Sequence, residues 1–308
     1  MRLQTPATTV PEIRHAARPP QQTRRPSHRL ARPDLPGTGP GGRAWAGLTV
    51  GTAVALAAVA VLPFPVAGLG PGGGYADVST LGAAVADGLV HFWQGASPEP
   101  DPSPAAPVAF WARFHAVKAA LALPLLVLGI MLGRRIWSEC VNARSGRRRA
   151  WFTVAGLVEA PLVLLAALLV VANVQGALAP LSSALGLLDV HPTDPAVATT
   201  LREIKDGLEN PSGRTATPAL TRLVEDFTAY HVVMVWLGAS VTVCLVVVAA
   251  RWWRRARGAA AAPSQQVRSA GAAVALLSAS AFAVITAANL STALHPAPAL
   301  LGFFQGGA

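Results

Sequence analysis

Residues 111–137 read WARFHAVKAALALPLLVLGIMLGRRIW. Within this stretch, Ala119–Trp137 is an apolar run that closes on an arginine pair and a tryptophan. A helix that crosses a bilayer needs about 20 mostly apolar residues, so this run predicts a membrane-spanning helix. Four more segments have the same character. We therefore predict an all-α polytopic transmembrane helix bundle with five spans, at about 45–66, 119–137, 152–174, 232–250 and 270–290.

The composition agrees with a membrane protein. Hydrophobic residues make up 52% of the 308 residues and charged residues only 13%, whereas ~25% charged residues is typical of soluble domains. The mean hydropathy is +0.44. These values exclude a disordered chain, a disulfide-rich secreted scaffold and a nucleic-acid-binding domain. The two cysteines, Cys140 and Cys244, lack the spacing of metal ligands.

The basic residues predict one orientation in the membrane. Nineteen of the 25 Lys and Arg lie in the N-terminal tail and in the connections between spans two and three and between spans four and five. Cytoplasmic loops carry such an excess, so we expect the N-terminus in the cytoplasm and the C-terminus outside. The use of 23 Arg against 2 Lys, with many Ala, Gly and Pro, indicates a GC-rich genome, so we expect a bacterial inner (plasma) membrane protein. Residues 1–44 predict a disordered basic tail, and 45–308 an integral membrane domain. The cytoplasmic arginines favour contact with anionic lipid head groups.

An internal repeat is the most specific feature of the sequence. A shift of 116 residues maps 111–188 onto 227–304 without a gap. Rare residue types carry the match, because His115 maps to His231 and Asn173 to Asn289. Each unit contains two spans in the same orientation. This predicts a parallel repeat about an axis along the membrane normal and a 1 + 2 + 2 arrangement of spans.

The segments between the spans predict a small helical cap on the outer side. Residues 76–94 have a helical period, and 97–107 form a Pro- and Ser-rich linker. Asp194-Pro195 is a typical helix start, and that helix should run to about Asn210 before residues 211–213 break it. Another helix should begin near Thr217-Pro218 and continue into the fourth span.

His115 and His231 occupy equivalent positions where the second and fourth spans begin. Two imidazoles at the same depth could bracket a metal ion or a b-type haem. A histidine beside aromatic residues at a helix start is more often an interfacial residue that makes hydrogen bonds, and we favour that interpretation. His91, His191 and His295 have no mutual ligand spacing, so we expect no metal site and no cofactor.

Glu159 is the one acidic residue inside a predicted span. A charged side chain there costs about 2.5–3.5 kcal/mol on insertion scales, which makes it a candidate proton or ion site. We favour a protonated carboxyl that is packed against hydroxyl groups at the same depth. The candidate partners are Ser240, Thr242, Ser278 and Ser280.

Asn173 and Asn289 end the outward helices of the two units. We expect them to cap those helices, because Asn is common at helix C-termini. The alternative is a hydrogen bond between the units, near the repeat axis. In the first span, Gly47-x-x-x-Gly51 permits close approach of another helix.

The sequence leaves three hypotheses for function. No nucleotide-binding, zinc-protease or nucleophile-elbow motif occurs in it, so nothing supports an enzyme. We favour a non-catalytic accessory or envelope-interaction protein with a membrane-protein partner or a second copy of the chain. The alternative is a small transporter or channel subunit with Glu159, Asn173 and Asn289 as polar residues at the repeat interface. The third hypothesis is a redox or haem protein that uses His115 and His231.

Cysteine labelling tests the predicted topology. In a variant that lacks Cys140 and Cys244, single cysteines at Ser97, Ser212 and Gly307 should react with an impermeant maleimide added to intact cells. Cysteines at Ser145 and Ser264 should react only after lysis, because they lie on the arginine-rich side. Labelling of the Ser145 position from outside would overturn the assignment.

Overall fold

The computed structural model describes residues 40–95, 105–210, 217–258 and 262–306. Residues 44–308 form one compact unit. Within the described ranges the chain forms ten α-helices and no strand. They are α1 (Pro40–Val61), α2 (Pro63–Ala67), α3 (Val78–Gln94), α4 (Ala105–Asn142), α5 (Gly146–Leu178), α6 (Pro180–Leu185), α7 (Pro195–Glu209), α8 (Pro218–Arg257), α9 (Ala262–Leu294) and α10 (Pro296–Phe304).

Five of these helices are long and apolar enough to cross a membrane, namely α1, α4, α5, α8 and α9. This confirms the predicted all-α polytopic bundle. Helices α4 and α8 have 38 and 40 residues. At 1.5 Å per residue each is about 60 Å long, roughly twice the hydrocarbon core of a bilayer. Their N-terminal parts therefore continue beyond the predicted spans and into the cap.

The first spanning helix is shorter than predicted. Helix α1 ends at Val61, and Pro63 starts the separate short helix α2. Proline lacks the N–H that would continue α1 and its ring clashes with the preceding turn, whereas it is well tolerated at a first helical position. The expected span to Val66 is therefore divided at Leu62.

The long helices pack as two pairs, α4 with α5 and α8 with α9, and α5 also contacts α8. Helices α5 and α9 begin 116 residues apart and end 116 residues apart. The starts of α6 and α10 have the same offset. These boundaries agree with the predicted repeat, whereas α4 and α8 start 113 residues apart and end 115 residues apart. Superposition of the units by rotation about the membrane normal stays a prediction.

The cap contains the largest buried apolar cluster of the described chain. It joins α3, α6, α7, α10 and the first turns of α8. Asp194 caps α7 by accepting hydrogen bonds from the backbone of the first turn, and Thr217 caps α8, as predicted. Residues 211–213 lie outside the described residues, and α4 already begins at Ala105, inside the predicted linker. The buried members of the cluster are Leu89, Val90, Leu185, Val197, Leu201, Ile204, Leu208, Leu220, Leu223, Phe227, Leu300 and Phe304.

The spanning parts bury much less. Their own cluster consists of Val59, Ala122, Leu125 and Ala166. Most of the large exposed apolar side chains lie on the spanning helices. Lipid tails solvate such side chains as well as a protein core does, so these faces need no protein cover. The cap, which lies beyond the predicted spans, is the part with the larger packed core.

Two leucine variants test this division. Leu223 is 0% exposed in the cap cluster, whereas Leu277 on α9 is 71% exposed. We expect Leu223→Ala to cost about 2–5 kcal/mol through lost burial and a cavity. Leu277→Ala should be close to neutral, because lipid or detergent replaces the lost contacts. Thermal unfolding in detergent measures both, and equal losses would contradict the division.

Candidate functional site

His115 lies at the centre of a chain of hydrogen bonds between α4, α5 and α6. Its Nδ1 is 2.9 Å from Asn173 Oδ1, and its Nε2 is 2.9 Å from Ser183 Oγ. Trp111 Nε1 donates to the same Ser183 oxygen at 3.0 Å. At the other end, Asn173 Nδ2 donates to the Leu169 carbonyl at 2.7 Å. These hydrogen bonds connect α6 to the N-terminal part of α4 and the C-terminal part of α5.

The donors and acceptors of this chain determine the His115 tautomer. The Leu169 carbonyl can only accept, so it faces the Asn173 amide nitrogen and Asn173 Oδ1 is left as an acceptor. His115 Nδ1 therefore carries the proton. His115 Nε2 accepts a hydrogen bond from the Ser183 hydroxyl, while Ser183 Oγ accepts one from Trp111 Nε1. Both ring nitrogens of His115 and the side chains of Asn173 and Ser183 therefore all have hydrogen-bond partners.

The close approach of α5 to the His115 ring requires a glycine. A Cβ atom at Gly176 would lie 2.7 Å from the imidazole. Real Cβ atoms do not approach other atoms so closely, so any side chain at this position would displace the ring. Gly176 thereby allows His115 to reach both Asn173 and Ser183.

His231 repeats half of this arrangement. Its Nδ1 is 2.8 Å from Asn289 Oδ1, and Asn289 Nδ2 donates to the Ile285 carbonyl at 2.8 Å. The same argument assigns the His231 proton to Nδ1. The residue equivalent to Ser183 is Ala299, which has no hydroxyl group. No side chain in the described part of the chain bonds to His231 Nε2.

The two asparagines do not have the predicted capping role. Helix α5 continues five residues past Asn173 to Leu178, and α9 continues to Leu294. Both side chains instead bond the histidine of their own helix pair. The alternative prediction, a hydrogen bond between the units, is also wrong. A mid-helix Asn in a span needs a partner for its oxygen, and the facing histidine of the same pair is within reach.

The hydrogen bonds of His115 affect whether it could ligate a metal ion or a haem iron. His115 has both ring nitrogens engaged by protein groups, so a metal or haem iron would have to break the bond to Ser183. Across the described residues, no group of three His, Cys, Asp or Glu side chains could hold a metal ion. The arrangement does not favour the paired axial ligation considered from the sequence.

Glu159 is buried at the contact of α5 with α4, where it is 6% exposed. It faces two glycines of α4. A Cβ at Gly129 would be 3.4 Å from Glu159 Oε1, and one at Gly133 would be 3.6 Å from Glu159 Cγ. The Oε1 atom is buried without a hydrogen-bond partner among the described residues.

The hydroxyl groups predicted to satisfy Glu159 do not do so. Ser240, Thr242 and Ser280 each donate to the carbonyl four residues earlier on their own helix. No hydrogen bond joins Ser278 to Glu159 in the described chain. Equal depth was a poor guide, because Glu159 is buried against α4 in its own helix pair whereas these hydroxyl groups belong to α8 and α9.

The second helix pair, α8 and α9, has different residues at the positions equivalent to Glu159 and its neighbours. Glu159 corresponds to Ala275 and Val163 to Ala279, while Gly129 corresponds to Leu245. In the first pair the large side chains are on the second helix and face a glycine. In the second pair the large side chain, Leu245, is on the first helix, and the equivalent positions of the second helix are the buried Ala275 and Ala279. If the repeat holds, the two pairs exchange volume across equivalent contacts.

Contacts between the two pairs involve residues that the sequence analysis did not select. Gln175 Nε2 donates to the Tyr230 carbonyl at 3.0 Å, and Asp226 Oδ2 accepts from both the backbone and hydroxyl of Ser182 at 2.8 Å. At the opposite end, Trp137 stacks on Trp252 with ring centroids 4.6 Å apart. The available signal for the first of these contacts was a Gln placed directly after the predicted third span.

Comparison of the chain with protein-family models, with curated proteins and with solved structures finds no match.

The residue differences around Glu159 predict that the stability lost in one variant can be recovered by two further substitutions. Gly129→Leu alone should lower stability by about 1–3 kcal/mol, because its side chain would overlap Glu159 and Val163. Combining it with Glu159→Ala and Val163→Ala gives these three positions the residues of the second pair and should recover most of that loss. Thermal unfolding midpoints of the single, double and triple variants measure the coupling. Additive losses would show that the two contacts are not equivalent.

Proposed function

We propose that this chain is a non-catalytic accessory protein of a bacterial cell membrane, and that its helical cap is the surface by which it contacts a partner. The observation that carries the proposal is the position of the largest buried cluster, which lies in the cap rather than between the spans. A bundle that only had to remain in lipid would not need such a core. The core holds the cap rigid, as a recognition surface requires.

Helix α7 presents the polar side of this cap. Its apolar face is buried through Leu201, Ile204 and Leu208, and its other face exposes charged side chains of both signs. Trp93 Nε1 donates to Glu203 Oε2 at 2.7 Å and links α3 to that face. A groove of about 350 Å³ lies beside it, lined in part by His191, Arg202 and Asp206. Mixed charge on a rigid helix suits a protein partner with complementary charges.

The basic end supports the proposed orientation. The turns between α4 and α5 and between α8 and α9 lie at the same end of the bundle, because Trp137 at one turn stacks on Trp252 at the other. The helix ends around these two turns carry eleven arginines and one acid, the half-buried Glu139, which pairs with Arg148 at 2.8 Å. The positive-inside rule would place this end in the cytoplasm, against anionic lipid head groups.

Site-specific photo-crosslinking tests the accessory function. A photoreactive residue at Arg202, exposed on α7, should give a discrete protein adduct when the full chain is irradiated in native membranes. The matched control is Leu277, exposed on α9, which should give lipid adducts only. Mass spectrometry identifies the products. A protein adduct at Leu277 with none at Arg202 would move the interface into the membrane and overturn the role of the cap.

A second candidate function has one observation in its favour. Glu159 is a buried carboxyl inside a spanning helix with an unpartnered oxygen, and such groups occur in proton and ion pathways. Against a pathway, Asn173 and Asn289 bond within their own helix pairs and do not point to a shared polar track.

The variant Glu159→Gln separates the two functions. If Glu159 is only packed, Gln keeps the shape and the neutral charge, and the change should be within about 0.5 kcal/mol of neutral. If Glu159 carries protons, the same variant should abolish proton flux in vesicles that contain the purified chain, with no loss of thermal stability. We expect the neutral outcome and no flux from either protein. Flux that disappears in the variant would establish transport.

A further inference from the structure

Arg113 lies on α4, and its side chain contacts the loop that follows α2. Its Nε donates a hydrogen bond to the Ala67 carbonyl at 3.2 Å. A Cβ atom at Gly70 would overlap the guanidinium group, so the loop backbone lies directly against it. Ala67 belongs to a buried cluster with Leu81 of α3 and Ala184 of α6, which places these contacts at the cap end of the bundle.

Most of the hydrogen-bonding capacity of Arg113 is unused. A guanidinium group has five N–H donors, and the bond to Ala67 uses one of them. The Nη2 atom is buried without a hydrogen-bond partner in the described chain. Arginine keeps its positive charge under all ordinary conditions, and a buried charge without a partner is costly. Arg113 therefore favours the binding of an anion.

No described side chain supplies that anion. The two ion pairs found within the described ranges involve His91 and Arg148, not Arg113. Burial raises the pKa of the Tyr75 hydroxyl, and the Arg113 charge lowers that pKa by less. The hydroxyl consequently stays neutral at neutral pH and does not balance the arginine. The partner has to come from elsewhere.

The depth of Arg113 indicates which anions can reach it. Arg113 precedes the predicted second span (119–137) by six residues, which is about 9 Å along a helix. Ala67 directly follows the predicted first span (45–66). The head-group layer on each side of a bilayer is about 5–8 Å thick, so both residues lie near the level of the lipid phosphates. Arg113 is only half-buried, and residues 71–74 of the adjoining loop are exposed.

We propose that Arg113, held in place by Ala67 and Gly70, binds a phosphate group at the boundary of the membrane on the cap side. The unused N–H donors of the guanidinium group match the oxygens of a phosphate, which arginine binds through two parallel hydrogen bonds. Two sources share this chemistry, the head group of a phospholipid and free inorganic phosphate. The site is independent of the partner surface proposed for the cap, and each can fail without the other.

Thermal unfolding of the delipidated full chain in detergent tests the ligand. The probes are a short-chain phosphatidylglycerol, a diacylglycerol with the same acyl chains, and inorganic phosphate. Phosphatidylglycerol should raise the unfolding midpoint and the diacylglycerol should not, because it lacks the phosphate. A rise with inorganic phosphate too would show that free phosphate is sufficient, and a rise with phosphatidylglycerol alone would identify the lipid. Equal rises with both lipids, or no rise with either phosphate-bearing probe, would overturn the proposal.

Variants assign the effect to Arg113 rather than to the arginine-rich turns at the other end of the bundle. Arg113→Gln should weaken binding about 10- to 100-fold, the order expected for a hydrogen bond to a charged group. The matched control is Arg222→Gln, which removes an exposed arginine of α8 and should leave binding unchanged. Arg113→Lys keeps the charge without the planar fork and should give an intermediate loss. Equal binding by the unmodified protein and by folded Arg113→Gln would contradict the assignment.

A second double variant tests the competing partner, an acid of this chain outside the described residues. Glu99 and Asp101 are the candidates. If one of them neutralised Arg113, the unmodified chain would bind no phosphate at this site, and Glu99→Gln combined with Asp101→Asn would gain binding. That result would replace the phosphate with an internal ion pair. We expect instead that the double variant binds each phosphate-bearing probe as the unmodified chain does.

Discussion

A polar side chain in a membrane-spanning helix has no water to bond, and it must find its partner within the protein. Asn173 and Asn289 show the consequence in this chain. Each satisfies its amide nitrogen with the carbonyl four residues earlier on its own helix and its oxygen with the histidine of the facing helix. These bonds join the two helices of each pair near the cap. They also determine which nitrogen of each histidine is left as an acceptor.

The repeat units have diverged around that shared bond. In the first unit, Gly176 makes room for the imidazole and Ser183 completes its hydrogen bonds. In the second unit, Thr292 and Ala299 stand at those positions. Deeper in the bundle, Glu159 faces Gly129 and Gly133, whereas the equivalent of Glu159 is Ala275. The two helix pairs thus share the bond between histidine and asparagine and differ in the polar groups around it.

The cap has a large buried apolar cluster and the spans have a small one, and the surroundings of each part explain the difference. Lipid covers apolar side chains without cost, so the spanning helices hold together with a small buried cluster. Water around the cap requires a packed interior, and the helices α3, α7 and α10 supply it. Hydrogen bonds from Gln175 and Ser182 to the start of α8 then tie the first unit to the second. The part of the protein with the largest packed apolar interior, among the described residues, is consequently the cap.

Much of the architecture could be predicted from the sequence by itself. Apolar runs of spanning length, proline and aspartate at helix starts, and rare residues at a constant spacing depend only on local chemistry and on the bilayer. The equivalence of His115 with His231 belongs to this class.

Which partner each polar side chain takes was decided by the tertiary structure alone. The capping role expected for the asparagines and the hydroxyl partners expected for Glu159 were wrong, because depth along a helix does not say which face meets which neighbour. Of the two glycines that permit close helix approach in the first span, Gly47 meets nothing within 4 Å, whereas a Cβ at Gly51 would lie 3.5 Å from Leu128 of α4. Helix rotation sets these contacts, and rotation depends on the shapes of both packed surfaces at once.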